Sequence, residues 1–265
     1  MCADGAWKAI THRLTPAAYP PKVSTMKRLL QFLLGLLLLP LCWGATRALL
    51  DLGPYTVINR SPWIAPSILA LCAGCAVWIL IYLCIPPSVR LYIWGHELTH
   101  AIWGLLSGAR VGKIRVRSTG GSVSLSEAGV WTTLAPYFVP FYTVIVVLLR
   151  LLLGLFIDMT RWEPIWLFLI GLTWSFHITY TVRSLLQRQP DIQTYDRLFS
   201  YSLIILFNLL LLGYLFVYAS SASLTIYHEQ LFDRSLSAYY YFVRMLGRAT
   251  SAGCRLVTSG CRSSQ

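Results

Sequence analysis

Apolar residues in this chain come in long blocks. Crossing about 30 Å of hydrocarbon takes about twenty helical residues at a rise of 1.5 Å each. Runs near that length occupy residues 29–50, 64–85, 87–107, 131–157, 164–187 and 198–219. Each predicts a helix, and the short links between them predict antiparallel neighbours. Pro86 and Pro87 separate the second run from the third, because proline lacks the amide that a continuing helix needs. Pro136 and Pro140 predict a bend in the fourth. One inter-helix segment differs in kind. ARVGKIRVRSTGGSVSLSEAG (109–129) sets Val111, Lys113, Arg115 and Arg117 against Gly112, Ile114 and Val116, passes Ser-Thr-Gly-Gly, and alternates again from Ser122 to Ser126. Period-two patterning across a Gly-Gly turn predicts a β-hairpin. The expected fold is an all-α polytopic membrane protein of about six transmembrane helices, with one small β-hairpin between the third and fourth.

The ends read differently. Residues 1–25 lack a long apolar run and contain Pro16, Pro20 and Pro21, and Met26-Lys27-Arg28 has the look of a natural start. Residues 1–28 are therefore expected to be a disordered or over-extended leader. The charged start and apolar core of 29–50 also suit a cleaved signal peptide, but the length of the run and the spans after it favour a retained helix. The transmembrane domain is expected over 29–220. In the polar tail, 221–265, Phe232, Leu236, Tyr239, Val243 and Leu246 share one helical face, which predicts an interfacial amphipathic helix with fraying beyond Ser251.

Composition supports the membrane class. Of 265 residues, 56% are hydrophobic and only 12% charged, where a soluble domain is about a quarter charged. That balance excludes a disordered chain and a soluble nucleic-acid binder despite the net charge of +12. The basic excess is expected to face anionic lipid of the bilayer, with no nucleic-acid partner. The 7 cysteines lack framework spacing, and Cys72 and Cys75 sit inside an apolar run, where helix packing is the expected role of a CxxC.

The chemistry is concentrated in Gly-His-Glu-Leu-Thr-His-Ala, residues 95–101, in the middle of the third apolar run. On a helix, positions i and i+4 share a face one turn apart, so His96 and His100 can both address one tetrahedral Zn²⁺. Glu97 beside them can accept a proton from a water that the metal has acidified. With 5 His and 4 Glu in the chain, accident would produce this spacing about 0.001 times. Ionisable side chains at mid-helix in a membrane also carry a desolvation cost and are seldom placed there without a role.

GHELTHAIWGLLSGARVGKIRV, followed by the Gly-Gly hairpin and by LAPYFVP entering a long apolar helix, resembles the site-2-protease class of intramembrane zinc metalloproteases, and within it the compact bacterial M50-like branch. The likeness covers about residues 87–210. It implies His96 and His100 as zinc ligands, Glu97 as general base, and a hairpin edge strand that pairs with an unwound substrate. Val116, Arg117, Gly120 and Gly121 are then the expected substrate-binding positions. β-Augmentation is also favoured physically, since a helical peptide bond must unwind before water can attack it.

The third ligand departs from that pattern. The family usually takes it from an Asp-Gly on a later helix, and the one Asp-Gly of this chain is Asp4-Gly5, far from any span. Counted from the hairpin face at 1.5 Å per residue, His100 lies about 12 Å deep and His177 about 15 Å deep. Asp191 would sit at the face itself unless Pro190 lets its link dip inward. Depth thus ranks His177 ahead of Asp191, while the family's preference for a carboxylate speaks for Asp191. Asn208 reaches the same depth, where an amide can orient substrate or an oxyanion, as in the family, or serve as inter-helix glue. The basic links on the hairpin face would place that side in the cytoplasm, although the same alternation puts the basic N-terminus outside.

The expected function is a membrane-embedded HExxH zinc metalloendopeptidase acting on membrane-embedded protein or peptide substrates. The resemblance implies a multi-pass protein of the bacterial cytoplasmic membrane. The alternatives are a catalytically inactive binding module of the same fold and a metal or ion transporter, the latter suggested by intramembrane His, Glu and Arg150.

Overall fold

A computed structural model describes residues 25–56, 65–85, 89–117 and 120–262, with side chains through Arg248. The expected leader up to residue 24, the Pro86-Pro87 break, the Ser118-Thr119 part of the hairpin turn and the last residues of the tail lie outside the described residues. The elements are α1 (Thr25–Asp51), α2 (Pro66–Cys84), α3 (Val89–Leu106), β1 (Val111–Arg117), β2 (Gly120–Leu125), α4 (Val130–Leu134), α5 (Phe141–Gly154), α6 (Glu163–Leu185), α7 (Pro190–Thr194), α8 (Arg197–Ala219) and α9 (Leu224–Arg262).

Among the described residues, 4 helical stretches are long and apolar enough to cross a membrane: Thr25–Asp51, Pro66–Cys84, Thr160–Leu185 and Arg197–Ala219. A fifth arises if Val130–Tyr137 and Phe141–Gly154, bent by 84°, count as one broken span. This is fewer than the six expected. The third run forms α3 as predicted, but Arg90, His96, Glu97 and His100 within its 18 residues lower its apolarity. The fourth run is not one bent helix. Its chain leaves α4 through a 3₁₀ turn, Ala135–Tyr137, and restarts with Pro140 as the residue preceding α5.

Close backbone approach at glycine seats the long helices. Gly74 of α2 lies against the Phe168 carbonyl of α6, and Gly171 of α6 against the Leu71 carbonyl of α2. Cys75 Sγ donates to the Gly171 carbonyl at 3.2 Å, so this half of the CxxC packs a helix pair, as expected. A second layer joins α1, α8 and α9. A β-carbon on Gly35 would stand 2.6 Å from the Phe199 amide, and one on Gly44 would stand 2.6 Å from Ser235 Cα. Tyr239 donates to the Leu37 carbonyl at 2.7 Å, and Arg234 pairs with Asp51 at 2.5 Å.

The tail is helical, as predicted, but the helix runs on to Arg262 where fraying from Ser251 was expected, and α9 docks on α1 through Ser235 and Tyr239. Phe232, Leu236, Val243 and Leu246 of the predicted apolar face remain exposed.

Two clusters flank α3. Trp78, Tyr92, Ile93, Phe176 and Tyr180 join α2, α3 and α6, with Tyr92 and Tyr180 stacked at 4.7 Å. Leu134, Tyr137, Phe138, Ile192, Leu203 and Ile204 join α4, the 3₁₀ turn, α7 and α8. The antiparallel hairpin pairs Ile114 with Val123 and Val116 with Gly121. Its β2 strand presents Gly121, Val123 and Leu125 to α3, whose Gly104 makes room for Leu125. The hairpin therefore lies against the helix that carries the HExxH motif.

Candidate metal centre

Helix α3 places Tyr92, His96 and His100 on one stripe at successive i+4 steps, all buried. The other half of the centre comes from the link after α6. Pro190 opens the single turn of α7, whose fixed φ suits a first helical position. The turn carries Asp191 inward until it is wholly buried. Nε2 of His96 and Nε2 of His100 are 3.2 Å apart, and Asp191 Oδ2 lies 3.5 Å from the first and 3.4 Å from the second. Three ligand atoms held tetrahedrally about 2.0–2.1 Å from one zinc ion are separated by about 3.3–3.4 Å. The nearly equilateral triangle fits that requirement, and this group could hold a metal ion.

The outward nitrogens of both histidines are engaged, whereas Asp191 Oδ1 is buried without a hydrogen-bond partner. His100 Nδ1 donates to the Thr132 carbonyl at 2.7 Å, leaving Nε2 as the free lone pair. His96 Nδ1 lies 3.2 Å from the Tyr92 hydroxyl, which is 2.8 Å from Ser184 Oγ. With the proton on Nδ1, His96 donates through Tyr92 toward Ser184 and presents Nε2 to the triangle as an acceptor. Tyr137 donates to Asp191 Oδ2 at 3.0 Å, and its ring meets His96 edge-on at 5.1 Å. Such outer contacts fix tautomer and ring orientation in metal sites. Burial alone would push the Asp191 carboxyl up, but the facing His100 and His96 more than offset it and hold the group below the usual carboxylate range.

Glu97 is 1% exposed and lies within electrostatic reach of His96, His100 and Asp191. Its carboxylate sits against bare backbone of β2. A β-carbon on Gly121 would be 2.5 Å from Glu97 Oε1 and 2.6 Å from Ile93 Cγ2.

His177 is not in the triangle, which reverses the order expected from depth. Equal depth along a helix does not fix lateral position. His177 lies next to Asn208 and the Tyr137 carbonyl, with its own Nε2 buried and unpartnered. It shares with His96, Tyr92 and Thr99 the lining of a cavity of about 20 Å³, room for about one water. Asn208 reaches the centre indirectly, since its Nδ2 donates to the Tyr137 carbonyl at 2.9 Å and the Ile204 carbonyl at 2.8 Å.

The remaining hairpin positions divide. Val116 packs against the aromatic cluster of α2, α3 and α6, Gly120 is half-buried, and Arg117 is exposed. Tyr92, Thr132, Tyr137 and Ser184 were not among the predicted site residues. Tyr92 had a sequence signal, its i−4 spacing from His96, whereas the other three depend on tertiary placement. Comparison with protein-family models, with curated proteins and with solved structures finds no match.

Proposed function

We propose that this chain is an intramembrane zinc metalloprotease similar to the site-2-protease class, hydrolysing peptide bonds of membrane-embedded substrates. The observation that carries the reading is the tetrahedrally spaced triangle of His96, His100 and Asp191 with Glu97 beside it on the same helix. Two imidazoles and one carboxylate are a donor set suited to zinc. Zinc held by these residues would supply an acidified water and a polarised scissile carbonyl.

The chain's own groups do the rest. Glu97 takes a proton from the attacking water and delivers it to the leaving amine. Tyr92 and the Thr132 carbonyl keep the histidines in the ligating tautomer, and Tyr137 steadies Asp191. The hairpin, against α3, offers backbone to an unwound peptide. The apolar surfaces of α1, α2, α6 and α8 support a bilayer setting, with lipid at the exposed leucines.

Arg150, which suggested a transporter, is paired with Glu163 at 2.5 Å. One observation favours the inactive binding module: the centre is enclosed, and the cavity beside it holds about one water rather than a peptide. Metal content and cleavage of a single-pass membrane peptide, measured on the same preparation, decide between them. The protease reading expects Glu97→Gln to keep its zinc and lose cleavage. Equal activity in Glu97→Gln, or zinc-loaded wild type that binds the peptide without product, overturns it.

A further inference from the structure

A second polar site lies on the other side of the turn that delivers Asp191. The end of α6, the α7 turn and the start of α8 enclose a cavity of about 190 Å³, lined by Gln187, Arg188, Gln189, Gln193, Arg197 and Tyr201 among others. That is more than ten times the volume one water needs. Gln189 is 1% exposed, yet neither its Nε2 nor its Oε1 has a hydrogen-bond partner. Buried amides are nearly always satisfied, so an orphaned one lining a polar cavity marks a place for a ligand.

Charge indicates which ligand. Arg188 and Arg197 line the cavity from opposite sides of α7, and neither has an ion-pair partner among the described residues. The nearby acids are committed elsewhere. Asp191 faces His96, His100 and Tyr137, while Asp196 caps α8 by accepting from the Phe199 amide at 3.2 Å. Two guanidinium forks and an amide donor match the oxygens of a phosphate group. We infer that this pocket binds a phosphate-bearing anion, either the headgroup of an anionic lipid or free phosphate.

The test titrates the delipidated full chain in neutral detergent, by calorimetry, with inorganic phosphate and separately with mixed micelles of phosphatidylglycerol or phosphatidylcholine. The proteins are wild type, Arg188→Gln/Arg197→Gln and Gln189→Leu. Wild type is expected to show one saturable site for phosphatidylglycerol or phosphate, with phosphatidylcholine much weaker. Saturation by the lipid alone assigns a headgroup, and saturation by inorganic phosphate assigns the free ion. Either variant should weaken binding by about tenfold or more. The arginines are exposed, so their replacement should leave the thermal unfolding midpoint unchanged. Absence of saturable binding by wild type, or equal affinity in wild type and the arginine variant, overturns the inference.

Discussion

Gly121 leaves the Glu97 carboxylate no room for even a methyl group between them: a β-carbon would stand 2.5 Å from Oε1. The hairpin thereby sets the position of the proposed base. Gly121→Ala should shift Glu97 by a fraction of an ångström to an ångström, lowering kcat/KM by about 10²-fold while the zinc content stays at the wild-type value. Cleavage kinetics with metal analysis on the same sample provide the check.

The identity of the third ligand is directly measurable. His100→Ala and Asp191→Ala should each lose the metal after dialysis against a mild chelator, whereas His177→Ala and wild type should each retain about one equivalent. Mass spectrometry of metal per chain reads the outcome. Retention by Asp191→Ala together with loss by His177→Ala would reverse the assignment.

Tyr137 touches Asp191 but is not itself a ligand in the triangle. Tyr137→Phe removes one hydrogen bond to the carboxylate and keeps the ring against His96. Zinc affinity should fall by about 10–100-fold, the range seen for groups that hydrogen-bond a metal ligand. Competition with a chelating fluorophore measures it.

The α2–α6 seam depends on two absent side chains. Gly171→Ala would force its new methyl onto the Leu71 carbonyl, and Gly74→Ala onto that of Phe168. Both contacts are backbone and cannot rotate away. Each substitution should cost about 1–3 kcal/mol, as overpacked interiors do. The unfolding midpoint in detergent should drop accordingly, and an unchanged midpoint would show that the seam tolerates separation.

Local patterns in the sequence foresaw the elements that depend on neighbours in the chain. The i, i+4 histidines define the buried stripe of α3 that faces Asp191, and the alternation around Gly120 and Gly121 defines the hairpin. Depth along the helices ranks Asp191 second because its position depends on how far a link dips, and packing of Ile192 against Tyr137 and Ile204 decides that. Pro136 and Pro140 foretold a bend, but its 84° size and the 3₁₀ turn that presents Tyr137 come from the tertiary fit. Counting apolar runs also overstated the number of spans, because α3 gives up hydrophobic positions to Arg90, His96, Glu97 and His100.

The seating of α1 bears on the order in which the chain can assemble. Its Gly35 notch is filled by Leu198 and Phe199 of α8, and its Gly44 notch by Ser235 of α9. During synthesis α1 emerges long before either partner, so its two notches stay open while α2 to α7 are made. The aromatic cluster of α2, α3 and α6 can close first without α1, whereas Asp191 settles only when Ile204 of α8 packs against Ile192. Maturation would then end with α8 and α9 clasping a waiting helix, a late step at which a chaperone or quality-control protease could intervene.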